Sequence, residues 1–240
     1  MAGHSKWANI KHKKERTDAK KGKVFTKIGR EIAVAVKQGG ADPESNTKLK
    51  DVIAKAKAAN MPNDNISRCI KKASGDVDTD NFDEIVYEGY GPEGTAFIVE
   101  AMTDNRNRTA ADVRHYFDKF GGNLGSNGCV SFMFNRKGVI VIEKNDSIDE
   151  DEFMLEAIEA GAEDVIVEEE YIEVLTQPND FSNVRESMEK YNPESAAIEY
   201  VPTTYSKISD EKYTALMEKL IDHLEDLDDV QNVYHNWEHE

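Results

Sequence analysis

Residues 138–202 set the tightest limit on the fold. Apolar residues recur there at every second position in some stretches and at every third or fourth in others, the periods of strands and helices. In order, the segment predicts a strand at 138–143, a helix at 149–160, strands at 164–168 and 171–176, a helix at 180–191 and a strand at 195–201. That is the β-α-β-β-α-β order of a ferredoxin-like unit. The stretch after residue 202 adds a second constraint. Tyr213, Leu216, Met217, Leu220, Ile221 and Leu224 lie at helical spacing over 209–226, and VQNVYHN at 230–236 reads as a strand. A lone helix and strand cannot bury their apolar faces. Their partners must come from before residue 138, where EIVYEGY, TAFIVEAMT and VSFMF read as three strands, with a helix over 107–120. NRKG reads as a turn between VSFMF and the next strand, GVIVIEK. One two-layer unit is therefore expected to interrupt the other.

The first 75 residues have helical spacing only. Val24, Ile28, Ile32, Ala35 and Val36 predict a helix over 18–38, stopped by Gly39-Gly40. Leu49, Val52, Ile53 and Ala56 form the stripe of a second helix, broken at Met61-Pro62. Asn63 is the expected N-cap of a third, which carries Ile66, Cys69, Ile70 and Ala73 and closes at Gly75. Residues 1–17 lack an apolar stripe and read as an arm, and GDVDTDN at 75–81 reads as a linker. The expected fold class is α+β: an N-terminal three-helix domain plus two α/β sandwich-like domains, one of ferredoxin-like order inserted in the other. The expected boundaries are a basic arm at 1–17, a helical domain at 18–78, a discontinuous α/β domain at 79–135 and 205–240, and the inserted α/β domain at 136–204.

Charge divides along the same lines. The chain carries −17 in all, with +11 in residues 1–75 and −28 in residues 76–240. A basic segment on an acidic body suggests a polyanion-binding module whose body avoids nonspecific sticking. The alternative is a basic tail that rests against the acidic body. Lys6, Lys11, His12, Lys13, Lys14, Arg16, Lys20, Lys21, Lys23, Lys27 and Arg30 are the candidates for phosphate contact. Trp7 could stack on an unpaired base or anchor the arm on the helical unit. A second candidate is TDNRNRTA at 103–110, where Arg106, Asn107 and Arg108 stand at a helix start with exposed N–H groups. Alternatively, Asp104 or Asn105 caps that helix and the arginines bridge to the inserted domain. The loop GGNLGSNG could approach a ligand closely or be a long turn.

Other motifs point away from chemistry. GYGPEG at 89–94 matches a dinucleotide fingerprint as text, but a strand comes after it, so it reads as a hairpin turn. HNWEH at 235–239 matches an inverted zinc-protease motif but comes after a strand rather than lying on a helix. Cys69 and Cys129 have no metal-ligand spacing and read as core or loop thiols. The carboxylate runs lack a paired His or Ser. No enzyme activity, metal, cofactor, small-molecule substrate or membrane partner is expected. No apolar run approaches the ~20 residues of a membrane span. The start lacks the apolar core of a secretory signal, and two cysteines make no disulfide framework. A cytoplasmic location fits these features.

The segments MAGHSKWANIKHKK, GKVFTKIGREI, NMPNDNI, YEGYGPEG, TDNRNRTAADVRH, GGNLG and LEDLDDVQNVYHN resemble the signature segments of the YebC/PmpR family. That family also includes the mitochondrial translational activator of cytochrome c oxidase. Glu93 stands where the family often has Gly, Cys129 where it often has Ser, and Cys69 where it often has Ala. The resemblance implies three domains and no enzymatic activity. It also implies nucleic-acid contact through the arm and helical domain, including Lys6, Lys13, Lys14, Lys20, Lys21 and Lys27, with TDNRNR on a second functional surface. It leaves two modes open: DNA-binding transcriptional regulation, or ribosome association that helps translation through proline runs. An arm of Trp, Gly and Lys suits structured RNA, which is read through shape, unpaired bases and phosphate. Ribosomal RNA is therefore the favoured partner and promoter DNA the alternative. For DNA, Asn65, Arg68, Lys71 and Lys72 offer only a short recognition helix. A third reading makes the acidic domains an interaction scaffold and the arm a tether.

Overall fold

The computed structural model of the chain describes the backbone of residues 2–75 and 81–238, and their side chains except those of residues 2–6 and 8–21. Residues 76–80 of the expected linker and His239 of HNWEH lie outside it. The chain opens with α1 (Ala2–Gly39), one helix of 38 residues. The expected arm over residues 1–17 is thus corrected to the first half of a helix. An apolar stripe reports packing, and its absence there does not remove the intrinsic helix preference of a Lys-rich stretch free of Pro.

α2 (Thr47–Ala58) and α3 (Asn63–Ser74) pack on the second half of α1 around Ile28, Ile32, Leu49, Val52 and Ile66. Asn46 joins the first two helices. Its Oδ1 accepts from Leu49 N–H at 3.1 Å, while its Nδ2 donates to Ala35 O at 2.8 Å and Gly40 O at 2.7 Å. One buried side chain thus satisfies groups left over at the end of one helix and the start of the next. Pro62, rather than the expected Asn63, holds the cap position of α3, and it makes no side-chain cap bond.

The chain then runs through β1 (Asp83–Tyr90), β2 (Ala96–Thr103), α4 (Arg106–Lys119) and the short β3 (Asn123–Leu124). Next come β4 (Phe134–Glu143), α5 (Glu150–Ala160), β5 (Asp164–Val167), β6 (Tyr171–Thr176), α6 (Phe181–Met188) and β7 (Ser195–Pro202). α7 (Glu211–Asp226) and β8 (Val230–His235) complete the described elements. The first sheet has the order β3-β1-β2-β8 and the second the order β5-β6-β4-β7, with every paired neighbour antiparallel. The second order is that of a ferredoxin-like sheet. β8 lies beside β2, so the chain leaves the first sheet, builds the second and returns. This is the α+β arrangement in which one unit is inserted in the other.

Two local expectations are corrected. VSFMF is not a strand of its own: Ser131–Met133 form a 3-10 turn, Phe134 begins β4, and the strand paired with the other side of β1 is β3 in the Gly-rich loop. NRKG is not a turn either. β4 runs through it, pairing Asn135 with Val201, Arg136 with Tyr200, Lys137 with Glu199 and Gly138 with Ile198. A Cβ on Gly138 would overlap Thr176 and Phe181, so this glycine marks close approach of α6 to the sheet. GYGPEG is the expected connection between two antiparallel strands, with Pro92–Gly94 forming a 3-10 turn.

α4 and α7 cover one face of the first sheet, burying Phe97, Val99, Val113, Phe117, Met217 and Leu220. α5 and α6 cover Ile140, Ile142, Ile172 and Val174 on the second. Strand alternation sends Val139, Val141, Tyr171, Leu175 and Val201 to the opposite face of the second sheet. Among the described residues, no helix is long and apolar enough to cross a membrane.

Candidate nucleic-acid interface

Trp7 covers that opposite face. It is 6% exposed, stacks on Tyr171 at 5.4 Å between ring centroids and donates its indole N–H to Glu170 at 2.9 Å. The two expectations for Trp7 were a base to stack on or the helical unit to anchor against. In this structure it anchors on the second sheet rather than on the helical unit, because an apolar sheet face needs cover and α1 extends far enough to supply it. Burial pushes the Tyr171 hydroxyl up to about 12.

The cations of the second half of α1 meet an acidic corner between α7 and β8. Lys23 Nζ donates to Asp226 O at 3.1 Å, and Lys27 Nζ to Glu225 O at 2.7 Å. Arg30 goes deeper: its Nη1 lies 2.6 Å from Asp229 Oδ1, 2.8 Å from Asp228 O and 3.0 Å from Met102 O, and its guanidinium sits over the Phe82 ring. The other oxygen of Asp229 accepts from Arg108 Nη2 at 2.8 Å, Thr109 Oγ1 at 2.7 Å and Thr103 Oγ1 at 3.2 Å. Burial pushes the Asp229 carboxyl up, but the hydrogen bonds from Arg108, Thr109 and Arg30 outweigh it and hold the group at about 2.

The TDNRNR segment is organised by the same carboxylate. Asn105 caps α4, its Oδ1 accepting from Arg108 N–H at 3.1 Å. Arg106 pairs with Asp83 at 2.7 Å, Arg108 pairs with Asp104 as well as Asp229, and Asn107 is exposed. The capping alternative therefore describes the local geometry. The arginines bridge to carboxylates of the first-sheet unit, however, and not to the inserted unit as that alternative had it. Arg30 and Arg108 meet on Asp229, so the two candidate stretches join at one point.

Asp229 itself was missed in the sequence. Its signal was DLDD at 226–229, a run of acid placed between a helix end and a strand. Lys6, Lys11, His12, Lys13, Lys14, Arg16, Lys20 and Lys21 have side chains outside the described residues. On α3, Arg68, Lys71 and Lys72 are exposed.

The helical unit is fastened to the inserted unit too. Asp51 accepts from Ser182 Oγ at 2.7 Å and from Arg185 Nε at 3.2 Å, and Lys50 pairs with Glu186 at 2.7 Å. A cleft of about 830 Å³ opens where the three units meet. Its charged walls carry internal pairs, Lys48 with Glu84 and Lys55 with Glu31.

A basic helical unit clamped to two acidic α+β units is a composite architecture. The family model described as the TACO1/YebC protein N-terminal domain matches residues 5–76, and that of the TACO1/YebC second and third domain matches residues 82–237. The chain belongs to this family. A curated relative from Acetivibrio thermocellus is 68% identical over 239 residues, with 99% of each chain covered. One from Ruminiclostridium cellulolyticum is 62% identical over 240 residues, covering 99% of this chain and 97% of its own. Both are called probable transcriptional regulatory proteins. The crystal structure of a conserved hypothetical protein from Aquifex aeolicus superimposes with a TM-score of 0.82 at 47% identity, over 92% of each chain.

Proposed function

We propose that this protein is a non-enzymatic, nucleic-acid-binding regulator of gene expression that works on the ribosome in the cytoplasm, with ribosomal RNA as its partner. The observation that carries the reading is the division of charge. A helical unit of +11 is held on a body of −28, so polyanion binding is confined to one part of the surface. α1 and α3 supply the interface, through Lys6, Lys11, Lys13, Lys14, Arg16, Lys20 and Lys21 together with Arg68, Lys71 and Lys72. Lys23, Lys27 and Arg30 serve first to fasten the units and Arg108 to hold Asp229 in place, since each is already engaged by the chain's own oxygens.

The body to which this unit is attached carries −28, a charge that repels a long duplex extending beyond the basic unit. Folded RNA can approach the basic surface locally, which favours RNA. The family resemblance supplies the mode, easing elongation through proline runs. The relatives' names favour a second reading, transcriptional control at promoter DNA.

Crosslinking in cells, with sequencing of the attached nucleic acid, separates the two. Reads concentrated on ribosomal RNA, and lost when the lysines of residues 11–23 are neutralised, are the expected result. Reads concentrated at promoters would replace this reading with the transcriptional one.

A further inference from the structure

The Gly-rich loop after α4 presents an aromatic ring to solvent on a backbone that is firmly held. Phe132 is 74% exposed, the most exposed large apolar side chain among the described residues. Its exposure is not that of a slack loop. Glu88, 7% exposed, accepts three backbone N–H bonds from the loop: Gly128 at 2.8 Å, Val130 at 2.9 Å and Ser131 at 2.8 Å. Tyr90 donates its hydroxyl to Cys129 O at 2.8 Å, and Thr203 N–H reaches Met133 O at 2.8 Å. Val130 and Phe134, on either side, are buried. The fold thus fixes the backbone around Phe132 and turns the ring outward, which costs apolar exposure with no gain inside the chain.

The charge around this tip is also unusual. Residues 119–142 form the longest stretch of the chain without Asp or Glu, 24 residues holding Lys119, Arg136 and Lys137 in a protein with 47 acidic residues. Asn123, Ser126 and Asn127 stand exposed along the same loop. An exposed ring on a loop whose exposed side chains are neutral and polar, with no carboxylate in its own segment, suits an aromatic ligand carried on a polyanion.

We propose that residues 121–133 form a stacking tip for an unpaired RNA base, with the Phe132 ring as the platform. This is a second contact, remote in sequence from α1 and α3, and it rests on the nucleic-acid reading of the basic unit. A loop backbone held in advance loses little freedom on binding, and base–aromatic stacking is tolerant of sequence.

The test uses the full chain, a fluorescein-labelled single-stranded RNA of mixed sequence, the matching duplex RNA and the matching single-stranded DNA, with anisotropy as the readout. Phe132→Ala is expected to weaken single-stranded RNA binding about tenfold, the size of one lost base stack. It should leave duplex binding and the salt slope unchanged. Phe132→Trp should retain binding and Phe132→Leu should not, because the platform needs a flat ring. An exposed side chain leaves melting unaffected, so loss of fold does not confuse the result. Full binding by Phe132→Ala or Phe132→Leu would overturn the proposal. An equal loss with single-stranded DNA supports the stacking platform but removes the preference for RNA. Failure of the wild-type chain to bind any probe would instead sink the nucleic-acid reading beneath it.

Discussion

At the scale of single residues, Asp229 holds the most. It accepts from two arginines and two threonines drawn from α1, α4 and β2, so one carboxylate ties the helical unit to the first sheet. Its folded carboxyl titrates at about 2, below the ~3.9 of a free Asp. The stabilisation it brings is therefore complete above pH ~4 and is lost as pH falls toward ~2. Asp229→Asn should cost on the order of 2 kcal/mol at neutral pH, and the gap from wild type should close as pH falls through ~4 to ~2. Urea midpoints of both proteins across pH measure this, and a gap independent of pH would contradict it. Glu93 shows a different residue-level fact. Its φ of 55° lies in the left-handed region, which Gly would adopt without the cost a side chain brings.

At the scale of elements, α1 decides how the molecule is put together. Its second half packs in the helical core, and its first half carries Trp7 to the open face of the second sheet. Trp7→Ala should destabilise the chain by ~3 kcal/mol, near the low end for a buried aromatic. Trp7→Phe, which keeps a ring but not the N–H to Glu170, should cost ~1 kcal/mol. Chemical denaturation reads both, and a Trp7→Ala variant as stable as wild type would show that the contact contributes nothing.

Most elements were legible in the sequence because their apolar periods are strong, as in the six segments of the ferredoxin-like unit. Legibility failed where a residue type has two meanings. Gly138 beside Asn135 reads as a turn, yet it is a strand residue kept small by Phe181 and Thr176. The first half of α1 was hidden because its sole described core contact is one Trp, too sparse for a period to show. Contacts such as Arg30 with Asp229 link residues 199 positions apart, and no local pattern encodes them.

At the scale of the whole molecule, three units share charges across their boundaries. The helical unit pairs with the first-sheet unit through Arg30, Lys23 and Lys48, and with the inserted unit through Asp51 and Lys50. The acidic body thus holds the basic unit in place as well as limiting where polyanions bind. The candidate site was legible in the sequence as a charge asymmetry. It was not legible which cations face outward, because that depends on long-range partners.

The most direct test of polyanion binding by the basic unit is the salt dependence of affinity between the full chain and a folded ribosomal RNA fragment. Wild type is compared with a variant in which Lys11, Lys13, Lys14, Lys20 and Lys21 are replaced by Gln. The expected result is a steep fall in affinity with salt for wild type, and a slope shallower by ~0.7–0.9 for each phosphate contact removed in the variant. Identical slopes for the two proteins would contradict it.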